Sequence, residues 1–204
     1  TRGRYTLGPV LQCAQERFPK EHTLNPTFEL AYWKAGMELV RHWRGRLRAP
    51  VDERFDHVYL NLASCTIVDG KFAFAETARD SYTNPRWNDD HPAVLGAFGM
   101  LPGHGIDHST MGRTFLWIWD NWNWSETWGW DYPLAAMCAA RIGRPDLAVD
   151  AYLRVIRFKT AKLFEASARL GAVLAEATPE IEDACASYGR SLGTAFQLVD
   201  DLLD

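Results

Sequence analysis

The chain has only four cysteines in 204 residues, Cys13, Cys65, Cys138 and Cys185, and no two of them form a CxxC pair. That scarcity excludes a zinc ribbon and a disulfide framework, and leaves reduced thiols in a cytoplasmic protein as the expectation. No apolar run reaches the roughly 18 residues that a transmembrane helix needs. Charge of one sign is also scarce. Lys and Arg number 22 against 26 Asp and Glu, a net charge of -4 without a long run of either sign. A nucleic-acid stripe and a polybasic membrane patch are therefore not expected, although a small anion could be held locally. No internal repeat or low-complexity tract is present, and the opening Thr1-Arg2-Gly3-Arg4 lacks an initiator Met, as a fragment or processed piece would. What remains is ordinary globular material: 47% hydrophobic and 24% charged residues, enough for a core in one domain or one and a half.

Tryptophan is unevenly spread. All nine lie before residue 131, and after Tyr152 the chain turns rich in Ala and Leu with a single proline. This composition seam predicts two parts, 1–151 and 152–204. Periodicity predicts a mainly α chain throughout. A helix is expected from Pro26 to Arg48, capped by Asn25 with proline in the first position. Val58 to Leu62 and Thr66 to Phe74 read as short extended pieces, the second around an Asp69-Gly70 turn. Ser109 to Trp122 and Tyr132 to Ile142 read as helices, with Ser109 capping the first and Gly143 ending the second. Pro145 opens a helix that should run to about Glu176. Thr178-Pro179 then starts a last one, with apolar residues recurring at Ile181, Ala184, Tyr188, Leu192, Ala195, Phe196, Val199 and Leu203.

The end of that last helix carries chemistry. Asp200 and Asp204 are four residues apart, so they lie on one helical face roughly 6 Å from each other, with Asp201 beside the first. Three carboxylates so close repel unless a hard cation such as Mg²⁺ joins them, and magnesium prefers sites shared with substrate phosphates. A small-molecule diphosphate is the natural companion. The alternative is a solvated acidic helix end, and the surroundings decide between them. Asp-Asp-Leu-Leu-Asp follows Gly193-Thr194-Ala195-Phe196-Gln197-Leu198-Val199, and Tyr188-Gly189-Arg190-Ser191-Leu192-Gly193 leads into it. Further upstream stands Val155-Ile156-Arg157-Phe158-Lys159-Thr160-Ala161-Lys162-Leu163-Phe164-Glu165-Ala166.

Together these segments, from Tyr152 to Asp204, resemble the second metal-binding region of trans-polyprenyl diphosphate synthases of the octaprenyl type. The resemblance implies isoprenoid-synthase-like helices. It also implies magnesium held by Asp200, Asp201 and Asp204, and Lys159 and Gln197 stabilising the diphosphate or the developing allylic cation. The reaction implied is transfer of a prenyl group from an allylic diphosphate to isopentenyl diphosphate. The family also uses a first aspartate-rich motif on an opposing helix, and this sequence does not supply it. Asp89-Asp90 is followed by His91-Pro92-Ala93, with no third carboxylate and a helix-breaking proline. The implied site is a half-site, inactive alone unless an oligomer sets two clusters face to face.

The tryptophan-rich stretch suggests a different ligand. Indole faces interleaved with carboxylates and amides suit an oligosaccharide, whose CH faces stack on Trp while its hydroxyls bond Asp and Asn. A helix-packing core with polar turns would read similarly. Asp90 to Gly103 and Thr127 to Gly143, within residues 24–151, resemble the C-terminal part of six-hairpin toroid glycoside hydrolases of families 65 and 95. The resemblance implies an (α/α)-toroid-like helical segment whose sugar-binding candidates are Asp89, Asp90, His91, Trp128, Trp130 and Asp131. Glu126 is a further carboxylate. His104 and His108 stand in a Pro-Gly-rich loop, where i, i+4 helical spacing does not apply, and read as surface histidines. Glu76, Arg79 and Asp80 read as solvated charge. The expectation is thus a mosaic of two enzyme-derived helical parts, with prenyl transfer, sugar binding and a non-catalytic helical protein as the alternatives.

Overall fold

A computed structural model describes residues 3–203 and is mainly helical, in line with the sequence. It divides into two compact units, residues 1–148 and 149–204.

In the first unit, α1 (Thr27–Arg46) and α2 (Glu53–Leu60) precede a two-stranded antiparallel hairpin, β1 (Ile67–Val68) and β2 (Lys71–Phe72). Asp69 and Gly70 both take positive φ, 50° and 72°, which is the tight two-residue connection expected there. Short 3₁₀ turns at Pro85–Trp87 and Ala93–Leu95 lead into α3 (Gly96–Gly99), followed by α4 (His108–Asn121) and α5 (Asp131–Arg141). Leu30, Leu95, Met111, Phe115 and Ile118 form the fully buried centre. Thr114 ties α4 to the hairpin, its hydroxyl accepting the Phe72 N–H at 2.9 Å while donating to the Thr110 carbonyl.

Several local expectations are corrected. Asn25 does not cap α1. It sits at positive φ, its Oδ1 accepting the Leu7 N–H and its Nδ2 donating to Glu76, and Pro26 takes the capping position. The Thr27 N–H, which has no intrahelical acceptor at the first helical position, donates to the Phe74 carbonyl just beyond β2. Val58 belongs to α2 and not to an extended piece. Asp52 nucleates that helix by accepting the Phe55 N–H at 3.0 Å. The cap of α4 is Asp107, which accepts from Thr110 N–H at 2.7 Å and from the Ser109 hydroxyl. Asp80 is engaged by the Asn84 amide and the Trp87 indole N–H. Gly143, at φ 79°, ends α5 as expected. The Arg144 N–H reaches back to the Ala139 carbonyl and the Gly143 N–H to Ala140, the paired bonds of a Schellman motif.

The second unit holds the rest of α6 (Pro145–Ile156), a π-turn at Arg157–Ala161, α7 (Lys162–Leu174) and α8 (Pro179–Leu203). The helix expected from Pro145 to about Glu176 is therefore interrupted by one wide turn and stops at Leu174. Helices α7 and α8 run antiparallel, as the pairing of Phe164 with Phe196 and of Arg169 with Glu182 requires. Their interface is not the apolar stripe of α8. Ile181, Tyr188, Leu192, Phe196 and Val199 are exposed, and the buried positions are Ala186, Gly189, Gly193 and Gln197. The glycines are required by proximity. A Cβ on Gly189 would stand 2.4 Å from the Phe164 carbonyl oxygen, and one on Gly193 would stand 2.8 Å from the Ala161 Cα. Two backbones in such contact bury small residues and turn the large ones outward.

Candidate functional site

That close packing delivers Gln197. It lies one turn beyond Gly193 on the same face, is 3% exposed, and abuts the π-turn. A π-turn adds a residue to one helical turn and re-aims the side chains on it, which is why such turns concentrate at functional sites. Here it carries Lys159 and Thr160. The Thr160 hydroxyl donates to Gln197 Oε1. With its oxygen so engaged, the amide points its NH₂ at the acidic cluster, 3.1 Å from Asp200 Oδ2 and 2.8 Å from Asp201 Oδ1. Ionised carboxylates only accept, so this orientation satisfies every group in the set.

Asp201 is held from a second side by the Tyr152 hydroxyl, which donates to Oδ2 at 2.5 Å. The Tyr152 hydroxyl first and the Gln197 amide next hold the Asp201 carboxyl below its ordinary range, with the positive charge of Lys159 acting in the same direction. The reciprocal effect raises the Tyr152 phenol. Asp200 and Asp201 are exposed, so these contacts orient the carboxylates without removing them from solvent.

Of the residues expected at this site, Lys159, Gln197, Asp200 and Asp201 are brought together, whereas Asp204 lies outside the described residues. Two participants were not anticipated in these roles: Tyr152, and Thr160 as the group that fixes the amide. Tyr152 gives no sequence signal at a distance of 49 residues from its partner. Thr160 stood within the matched motif, and a buried amide one turn before two aspartates signals the need for such a partner. Asp200 and Asp201 suit a magnesium ion as two hard oxygen ligands, each retaining lone pairs beyond the hydrogen bonds above. Among the described residues no group of three His, Cys, Asp or Glu could hold a metal unaided.

The tryptophan-rich candidates converge at a second place. His91 Nδ1 lies 3.1 Å from Asp131 Oδ2, and Nε2 lies 3.5 Å from Asp90 Oδ1. The Trp130 ring stacks obliquely on His91 at 4.3 Å, and the Trp128 N–H donates to Asp131 at 2.7 Å. Asp90 also accepts the Glu16 N–H. Asp131 is fully buried. Burial pushes its carboxyl up, against the Trp128 N–H and His91, which pull it down. These three polar groups are thus committed to one another and to the backbone, and the surface they support is Trp128, 63% exposed, and Trp130, 38% exposed. Asp89 is not part of this cluster and pairs with Arg17 at 3.0 Å. Elsewhere His104 pairs with Glu38, while His108 is the first residue of α4. All four cysteines are free thiols. Burial pushes Cys13 and Cys138 up to about 12 and Cys65 to about 11.

Comparison with known proteins bears on the first of these sites. Residues 135–204 match the family model for polyprenyl synthetase. A stretch of 63 residues is 56% identical to octaprenyl diphosphate synthase of Escherichia coli (strain K12), covering 31% of this chain and 20% of that protein. Over 60 residues the chain is 52% identical to the (2E,6E)-farnesyl diphosphate synthase of Mycobacterium tuberculosis (strain ATCC 25618 / H37Rv), covering 29% and 17%. Over 59 residues it is 44% identical to the mitochondrial hexaprenyl pyrophosphate synthase of Saccharomyces cerevisiae, covering 29% and 12%. The C-terminal third of the chain is therefore polyprenyl-synthetase-like, and the chain spans about a fifth or less of the length of these relatives. No solved structure matches. Among the described residues no helix is long and apolar enough to cross a membrane.

Proposed function

We propose that residues 149–204 are the diphosphate-holding half of a trans-polyprenyl diphosphate synthase site, which binds a magnesium-diphosphate group and does not complete prenyl transfer in this chain. The observation that carries the reading is the Thr160–Gln197–Asp200/Asp201 chain of hydrogen bonds, which aims two carboxylates with a buried amide. A solvated acidic helix end has no use for a buried glutamine. Similarity to named octaprenyl and farnesyl diphosphate synthases over the same residues supports it.

When bound, magnesium would neutralise the diphosphate and make it a better leaving group. This chain's residues do the positioning. Asp200 and Asp201 supply oxygens, with Asp204 as the expected third. Gln197 and Tyr152 fix the rotamers of the carboxylates, and Lys159 stands on the neighbouring turn as the cation for phosphate oxygens. Residues 1–204 carry no second aspartate cluster opposite this one, so the proposal is confined to binding by this half of the site.

The test is thermal unfolding by circular dichroism with Mg²⁺ and inorganic diphosphate. The transition should rise, Asp200→Ala should abolish the rise, and a prenyl-transfer assay with farnesyl and isopentenyl diphosphates should yield no product. No shift in the parent chain refutes binding, and product formation refutes the half-site.

A second reading applies to the first unit. The convergence of His91, Asp90 and Asp131 under Trp128 and Trp130 supports an aromatic platform for an oligosaccharide, with the buried groups as its frame and not as its contacts. Tryptophan emission should then respond to a sugar in a broad oligosaccharide panel, and Trp128→Ala should remove the response. Unchanged emission throughout the panel removes this reading.

A further inference from the structure

Helix α1 buries one side and turns an apolar one outward. Thr27, Leu30 and Ala31 are buried against the first unit. Each residue turns the helix by about 100°, which places Tyr32, Trp33, Leu39, Val40, Trp43 and Leu47 in one stripe about 120° wide on the opposite side, roughly 23 Å long. All six are exposed, Trp33 by 56% and Leu47 by 75%.

The stripe has the chemistry of an interface and not of a core. Tyr32, Trp33 and Trp43 each carry a polar tip on an apolar body. The indole N–H groups of Trp87, Trp122 and Trp124 are bonded inside the unit, whereas among the described residues those of Trp33 and Trp43 have no partner. Charge surrounds the stripe. From Leu39 to Val51 the sequence holds Arg41, Arg44, Arg46 and Arg48 and no Asp or Glu, a local run that the overall charge of -4 hides. Arg44 follows Trp43 and Arg46 precedes Leu47, so these two stand on opposite shoulders of the stripe. Arg41 and Arg44 pair with Asp56 and Asp52, but among the described residues no carboxylate takes Arg46 or Arg48, and Arg46 lies over the Trp43 ring at 4.9 Å. A second copy would bring the same uncharged stripe and the same arginines, with no carboxylate to meet them. A surface with an apolar interior beneath an anionic layer meets both.

We propose that α1 lays this stripe on an anionic lipid surface. Trp33, Trp43 and Leu47 enter the boundary between headgroups and acyl chains, and Arg46 and Arg48 meet lipid phosphates. The open indole N–H groups donate to the ester and phosphate oxygens at that depth.

The test is co-sedimentation of the whole chain with vesicles of phosphatidylcholine alone and of phosphatidylcholine mixed with phosphatidylglycerol. The chain should pellet with the mixed vesicles, bind the neutral ones at least tenfold more weakly, and leave the mixed ones as salt screens the exposed charges. Arg46→Gln should weaken binding to mixed vesicles by about fivefold, the worth of one cation near the surface, and leave neutral vesicles unaffected. Arg46→Lys keeps the charge and should bind as the parent chain does. Leu47→Ser should weaken binding to both kinds of vesicle by about tenfold or more. Both positions are exposed, so the circular dichroism of these variants should match that of the parent chain. The proposal is overturned if the parent chain does not pellet with mixed vesicles, if neutral and mixed vesicles bind alike, or if Leu47→Ser binds as the parent does. A dimer in sedimentation velocity that Leu47→Ser dissolves, without vesicle binding, would give the stripe to a second copy and likewise overturn it.

Discussion

Replacing Gly189 by alanine should destabilise the second unit although alanine is the better helix former. The added Cβ would stand 2.4 Å from the Phe164 carbonyl oxygen and 2.8 Å from the Ala168 Cβ. Ordinary contact is about 3.4 Å or more, so α7 and α8 must separate by about 1 Å. The oxygen belongs to the backbone and has no rotamer through which to retreat. Overpacking of a close interface costs about 2–3 kcal/mol in such a case, and the helix-propensity gain of glycine to alanine returns about 1 kcal/mol. The net loss is about 1–2 kcal/mol. Gly171 is the control: it lies in α7, is exposed, and a Cβ there would meet nothing within 4 Å. Gly171→Ala should therefore stabilise by about 1 kcal/mol.

The distribution of chromophores gives the assay. All nine tryptophans precede residue 131, so their emission reports the first unit alone, whereas circular dichroism at the helical band reports both. In urea, Gly189→Ala should lower the midpoint of the dichroism transition and leave the tryptophan transition in place. Hydrogen exchange should locate the loss of protection at residues 162–203. If Gly189→Ala is as stable as Gly171→Ala, or if the tryptophan transition moves with it, the close-contact account of this interface is wrong.

Two further outcomes follow from local geometry. Glu176 occupies the left-handed position after α7 at φ 52°, so Glu176→Gly should raise stability by about 1 kcal/mol in the same urea assay. Asp107 is held down to about 2 by the Thr110 and Ser109 hydroxyls and the Thr110 N–H. Its folded pKa is depressed, so the stability it contributes is complete above about pH 4, the ordinary carboxyl value, and disappears as pH falls through about 2. The gap between the parent chain and Asp107→Ala should close over that window, and a gap independent of pH would contradict it.

What could be read in the sequence and what could not divide along physical lines. Lys159 was pointed to by the resemblance of residues 152–204 to polyprenyl diphosphate synthases, Asp200 and Asp201 by carboxylates crowded at one helix end, and Asp69-Gly70 by the few residues that accept positive φ. The α7–α8 interface was not legible. Its determinants, Gly189 and Gly193, are the residues that contribute no side chain, while Leu192 and Phe196 beside them have the appearance of a buried stripe. The helix caps failed for a related reason. Asn25 and Ser109 have capping chemistry, yet Asp107 is already in place two residues before Ser109, and the Asn25 side chain is taken by the Leu7 N–H and Glu76. Long-range partners outrank local propensity at both ends.

The same argument revises the expected part of Gln197. A glutamine that stabilises a developing cation would direct its amide oxygen toward it, but here the oxygen is taken by Thr160 and the NH₂ faces Asp200 and Asp201. The geometry makes Gln197 a positioning residue for the carboxylates of Asp200 and Asp201, with Thr160 as the group that sets its sense. Thr160→Val preserves shape and removes the donor, leaving a buried carbonyl oxygen without a partner at a cost of about 1–3 kcal/mol. Thr160→Ser keeps the hydroxyl and should cost less. The effect on ligand binding is the more telling readout, because an amide released from Thr160 can rotate and lose its hold on the aspartates. Magnesium-diphosphate should then protect Thr160→Val less than Thr160→Ser by a margin larger than the difference in their unliganded stability explains. Equal protection of the two variants would mean that the carboxylates are placed by α8 alone, and the buried glutamine would return to being a packing residue.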